Sequence, residues 1–258
     1  MKMLKQLSAS ILALLTVGLF AHAQEATSQG NETNFILIDY GFNLSADGDE
    51  TESMSLGLGG SAANETELLL TDGTVDDGSA FGIGIGHRYG NNIAAVLRYE
   101  SGELESGTPS IQIAPGSTIT ETSLIGDVTT DLTTFMLEGV YFMPYSERVE
   151  LWGMIGIGQT EVETSNARAS ITDNGATSSF LALCSASDDN TSTRFGAGAT
   201  YFMSQDQGFY AGIAVTNYGD AGFNAVNEND GSCLNTRDSL TINDIETTDL
   251  RIGYFRSF

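Results

Sequence analysis

The sequence predicts an all-β chain, eight antiparallel strands closed into an up-and-down barrel that crosses a lipid bilayer. Three observations carry this. Segments of about ten residues alternate apolar with polar or glycine, the period of a strand, and that length crosses hydrocarbon at a tilt. The connections run long, short, long, short, long, short, long. Beyond the amino-terminal leader, no apolar run reaches the roughly 20 residues of a transmembrane helix, so a membrane chain of this kind must cross as a barrel.

The leader comes first. Lys2 and Lys5 precede an apolar run from Ile11 to Phe20, and Ala21-His22-Ala23 is a small-x-small cleavage site. This is a secretory signal peptide over residues 1–23, followed by one barrel domain over 24–258. The first strand is Asn34–Leu44, with Ile36, Ile38, Tyr40, Phe42 and Leu44 outward and Asp39, Gly41 and Asn43 inward. The others are Ala80–Tyr89, Ile93–Ser101, Leu132–Met143, Val149–Gln159, Thr193–Met203, Gly208–Tyr218 and Glu246–Phe258. In Val149–Gln159 the Trp152 face is as apolar as the Leu151 face, so its parity stays open. Residues 45–79, 102–131, 160–192 and 219–245 are expected as long loops. An alternative is a ten-stranded barrel, with Ser53–Gly59 and Glu67–Thr71 as an extra hairpin.

The final strand adds a more specific signal. Leu250, Ile252, Tyr254 and Phe258 share an apolar face and end on an aromatic carboxyl terminus, while Asp249, Arg251 and Gly253 face the other way. This resembles the assembly signal of bacterial outer-membrane barrels, although Arg256 stands where an apolar residue is usual. With the turn rhythm, the chain resembles small eight-stranded outer-membrane proteins: the barrel domain of the OmpA type and the opacity-like and OmpX-like surface barrels. The resemblance implies short periplasmic turns and long extracellular loops. It also implies a bacterial outer-membrane location, contact with lipid and lipopolysaccharide, and delivery by the barrel assembly machinery. No carboxy-terminal peptidoglycan-binding domain is expected, and the barrel is read as a monomer.

Charge narrows the function. Loss of Lys2 and Lys5 with the leader takes the formal net charge from −24 to −26 and leaves no lysine. A nucleic-acid partner is thereby excluded. The four long loops hold 24 of the 34 acids against Arg168 and Arg237, the composition of a solvated surface. Asp47, Asp49, Glu50 and Asp230 sit in oxygen-rich runs that resemble calcium loops without full EF-hand spacing. No cofactor is expected apart from divalent cations held by the loops.

Inside, Asp39, Arg98, Glu138 and Arg251 fall near mid-strand on inward faces. Buried charge must be paired, so Arg98 is expected to meet Glu138, and Asp39 to meet Arg251. Such pairs plug the lumen of a small barrel. The inward glycines Gly82, Gly84, Gly86, Gly196 and Gly198 leave room for large neighbours or for water, and the second reading is a small passive channel. His87, the one histidine outside the leader, lies beside the Gly90 turn. An enzyme acting on outer-leaflet lipid would need it at the other end, so the chain is read as a structural and surface-interaction barrel without activity. Cys184 and Cys233 are expected to form a disulfide, the default in an oxidising compartment.

Overall fold

The computed structural model describes residues 33–51, 54–57, 65–69, 76–90, 92–106, 110–113, 119–125, 128–173, 176–226 and 232–258. The expected signal peptide and the polar segment after it lie outside these. Eight long strands form the wall: β1 (Thr33–Thr51), β4 (Asp76–Tyr89), β5 (Ile93–Ser106), β8 (Val128–Pro144), β9 (Val149–Thr164), β12 (Ala186–Phe202), β13 (Gln207–Val226) and β14 (Cys233–Ser257). They close in the order β1-β14-β13-β12-β9-β8-β5-β4, antiparallel throughout. The closure pairs Phe35 with Ser257, Ile38 with Tyr254 and Phe42 with Leu250. It is extended when Phe258 N–H donates to the Asn34 carbonyl at 2.8 Å.

The short turns fall where alternation stops. Gly90 joins β4 to β5 at φ 63°, a left-handed conformation that glycine adopts without a Cβ clash. Ser146 ties the next turn, its Oγ accepting from Val149 N–H at 3.1 Å. Ser204 Oγ donates to Asp206 at 2.5 Å in the third.

The opposite end departs from expectation. The wall strands do not end where the outward apolar residues end. Residues 45–51, 102–106, 128–131, 160–164, 186–192, 219–226 and 233–245, all expected in loops, continue the barrel. The chemistry of the two faces exchanges there while parity is kept. In the membrane band Tyr99, Leu137 and Ile157 are exposed on the outer wall. Farther up the same strands, Glu103, Glu105, Asp131 and Glu163 are exposed, and Leu104, Leu132 and Val162 are buried inside. Above the bilayer the outer face meets water and the inner face becomes a core, so an apolar-out rule fails at that level.

The remaining strands build two separate three-stranded sheets. One contains β2 (Met54–Gly57), β3 (Glu65–Leu69) and β6 (Ser110–Ile113), ordered β2-β3-β6. The other contains β7 (Ile119–Ile125), β10 (Ala167–Asp173) and β11 (Ala176–Leu183), ordered β11-β10-β7. The hairpin considered for a ten-stranded barrel does form, as β2 and β3, but it pairs with β6 and stays out of the wall. The wall has eight strands.

Candidate functional site in the barrel lumen

An eight-stranded barrel is just wide enough for side chains to fill it, and here they do so in three layers. At the short-turn end the lining is apolar. The parity left open in β9 resolves with Trp152 and Met154 inward, both buried, and Leu151 and Ile155 outward. Phe35, Leu37, Ala94 and Val96 form a second buried group, and Val140, Phe142 and Tyr210 join the two groups. The inward glycines make room for these side chains. A Cβ on Gly86 would lie 2.3 Å from the Phe35 ring, and one on Gly198 would lie 2.4 Å from Trp152. Between the walls remains a chamber of about 160 Å³, open at the short-turn end. Arg88 on β4 and Glu150 on β9 span its mouth in a bidentate pair at 2.7 and 3.0 Å. The Arg88 guanidinium also lies 4.4 Å from the centre of the Phe142 ring.

The middle layer is ionic. Arg98 Nε donates to Glu138 Oε1 at 2.9 Å, and its Nη1 meets Asp39. Arg251 Nη1 donates to Asp39 at 3.1 Å and to Glu100 at 2.6 Å, and its Nη2 donates to Asp249 at 3.3 Å. Arg194 Nη2 reaches Glu100 at 2.7 Å, Nη1 reaches Glu138 at 3.2 Å and Nε donates to Thr216 at 2.8 Å. Tyr210 and Tyr218 hydroxyls donate to Asp39 at 2.5 Å and to Glu100 at 3.1 Å. Asp39, Arg98, Glu138 and Arg251 therefore converge, and the two pairings read from the sequence lie within a larger mesh.

Arg194 and Glu100 are the links that sequence reasoning missed, although alternation puts both on inward faces with Gly196 and Arg98. They belong to β12 and β5, which are not neighbours. Pairing by adjacent strands could not find a contact across the lumen. A count of inward charges by height could have found it, because Arg194 stands level with Gly156 and Thr216 on the neighbouring strands, with no acid beside it.

The third layer, toward the long-connection end, is apolar again. Leu104, Leu132, Val162, Leu183, Tyr218, Phe223, Ile242 and Ile245 pack there with Ala221. Leu183 and Phe223 are fully buried. Leu183 comes from outside the wall, at the end of β11. The next residue, Cys184, pairs its backbone with Asn224 of β13 at 3.0 and 3.3 Å. Cys184 is also disulfide-bonded to Cys233, the first residue of β14, with a Cα separation of 5.7 Å. The crosslink thus fastens β11 over the end of the lumen.

The other residues singled out in the sequence sit elsewhere. His87 is half-buried at the short-turn end, with Nδ1 2.8 Å from Asn34 Oδ1 and its ring edge-on to Tyr89. Ile252 and Phe258 are exposed on the outer wall, and Leu250 and Tyr254 share that face at intermediate exposure. Asp47, Asp49 and Glu50 lie on β1, in register with Glu246, Asn243 and Ile242. That is extended strand where a loop had been expected. Asp230 lies outside the described residues.

A family model described as outer membrane protein beta-barrel domain matches residues 11–255. No curated protein sequence matches. Among solved structures, the outer membrane protein OprG of Pseudomonas aeruginosa is similar at 13% identity and TM-score 0.48, covering 90% of this chain and 99% of its own. Neisserial surface protein A is similar at 12% identity and TM-score 0.41, covering 87% and 97%. The outer membrane protease OmpT of Escherichia coli is similar at 10% identity and TM-score 0.46, covering 91% and 99%.

Proposed function

We propose that this chain, which belongs to the outer membrane protein beta-barrel domain family, is a sealed surface barrel that acts through its outer segments, without conduction or turnover. One observation carries the reading. Three arginines and four carboxylates bridge the lumen at mid-height, each arginine shared between at least two carboxylates. Opening a path would strand several of these charges in a space with little water, and each stranded charge costs several kcal/mol. The apolar layer above the mesh supports the same reading.

The outer part of the wall is an acidic girdle. Glu103, Glu105, Asp131, Glu163, Asp189, Asp220, Asp244 and Glu246 are exposed on its surface. Next to anionic lipopolysaccharide such a girdle is repelled unless divalent cations bridge the two. We assign the girdle that contact, with the barrel monomeric in lipid and brought there by the barrel assembly machinery.

Conductance of the purified barrel in a planar bilayer tests the sealed lumen. The expected trace is flat. Unitary openings that persist across preparations would overturn the reading in favour of a small passive channel.

A further inference from the structure

The geometry points to the chamber at the short-turn end as a binding site for a small uncharged molecule with one aromatic ring and a single hydroxyl, a phenol in the simplest case. The inference is independent of whether the lumen conducts.

Size and lining set the body of the ligand. The chamber holds about 160 Å³, and a buried cavity of about 150 Å³ lined by apolar side chains admits benzene. Its apolar walls include Phe35, Leu37, Val96, Val140 and Trp152. The charged residues that line it are paired with each other, Arg88 with Glu150 and Arg98 with Glu138. Its opening faces the short-turn side, so a solute reaches it without passing the ionic mesh. Apolar walls favour a neutral guest, because a charged one would lose its hydration without compensation.

The deep end sets the polar group. Glu138 lines the chamber and is 1% exposed. Its Oε1 accepts from both Arg98 and Arg194, and its Oε2 has no hydrogen-bond partner among the described residues. A buried carboxylate oxygen left unpaired is costly. With a small rotation of the Glu138 carboxylate toward the chamber, a hydroxyl on the guest would donate to it, in a charge-assisted bond stronger than a neutral one. The guest would therefore lie with its ring against Trp152 and its O–H toward Glu138.

The chain contains one tryptophan, Trp152, so its fluorescence reports occupancy directly. The full barrel in phospholipid nanodiscs is titrated at neutral pH with 4-bromophenol and, separately, with bromobenzene, whose heavy atoms quench an adjacent indole. The expected result is saturable quenching, with half-saturation at least tenfold lower for 4-bromophenol. Val140→Phe and Leu37→Phe, which fill the chamber from opposite walls, convert the response to a weak linear one. Glu138→Gln removes most of the preference between the two compounds. If that variant fails to fold, the preference in the unaltered barrel still decides the role of Glu138. Three results would overturn the inference: linear quenching in the unaltered barrel, saturation that survives both filling variants, or equal half-saturation for the two compounds.

Discussion

The ionic mesh and the apolar layer above it fill the same lumen by opposite means. The mesh is directional, and every member except Asp249, which Arg251 holds on the same strand, has a partner on another strand. The apolar layer is held by area and shape, and one of its central residues, Leu183, does not belong to the wall at all. A charged layer resists the loss of any one member because the remainder is left unpaired. An apolar layer loses stability in proportion to what is removed and to the cavity left behind. One barrel thus carries a rigid middle and a more forgiving top.

Removing the hub of the mesh should have the largest effect. Arg251→Met leaves Asp39, Glu100 and Asp249 each short of a donor, and the expected loss is about 3–5 kcal/mol, read from urea unfolding in lipid. A loss below about 1 kcal/mol would show that the middle layer is no more demanding than the top. Next comes Phe223→Ala, expected to cost about 3 kcal/mol through lost burial and a residual cavity, with conductance still absent because the mesh remains. Unitary openings in that variant would move the seal from the middle layer to the top.

Smaller effects separate the layers more finely. The double variant Cys184→Ser/Cys233→Ser frees β11 from its tether over the lumen. Limited proteolysis should then cut the outer segments faster while a membrane-embedded core of unchanged mass persists. Loss of that core would mean the crosslink holds the wall itself. Ile245→Val, one methylene from the apolar layer, should cost about 1 kcal/mol by the same urea assay.

The smallest effect lies outside both layers, in the turn after β12. The Ser204 hydroxyl bond, helped by the adjacent backbone amide and by Arg256, holds the exposed Asp206 carboxyl below its ordinary range. A lowered folded-state value stabilises above the ordinary carboxylate pKa and loses that contribution as pH falls through the folded one. Ser204→Ala should move the Asp206 titration upward by NMR while leaving the lumen untouched. An unchanged titration would show that the backbone amide and Arg256 set it without Ser204.

The difference between the layers also governs what could be read from the chain. The mesh was partly legible because Asp39, Arg98, Glu138 and Arg251 interrupt inward faces whose outward partners are apolar. The top layer was illegible as a core. Leu104 between Glu103 and Glu105, Leu132 beside Asp131, and Val162 between Glu161 and Glu163 all alternate, but in the pattern of a water-exposed sheet. A search for apolar-outward strands discards those segments as loops. The signal was present as an exchange of faces at constant parity. The contribution of Leu183 was not legible at all, because it depends on where β11 folds back. The short-turn ends were read well for a simpler reason: Gly90 and the short segments after Pro144 and Met203 leave no residues to spare.

The seam between β1 and β14 has a kinetic consequence. Phe35 pairs with Ser257, a contact that spans nearly the whole barrel domain, so the loop it closes is very long. Local hairpins such as β4–β5 or β12–β13 can zip early, but the seam cannot form until the last residues arrive. Contacts at such separation fold slowly. Until they form, β1 and β14 are bare edges flanked by exposed Ile36, Ile38, Ile252 and Phe258, the situation in which strands pair with the wrong chain. The time spent before the seam shuts is therefore the period in which the chain is most vulnerable to mispairing.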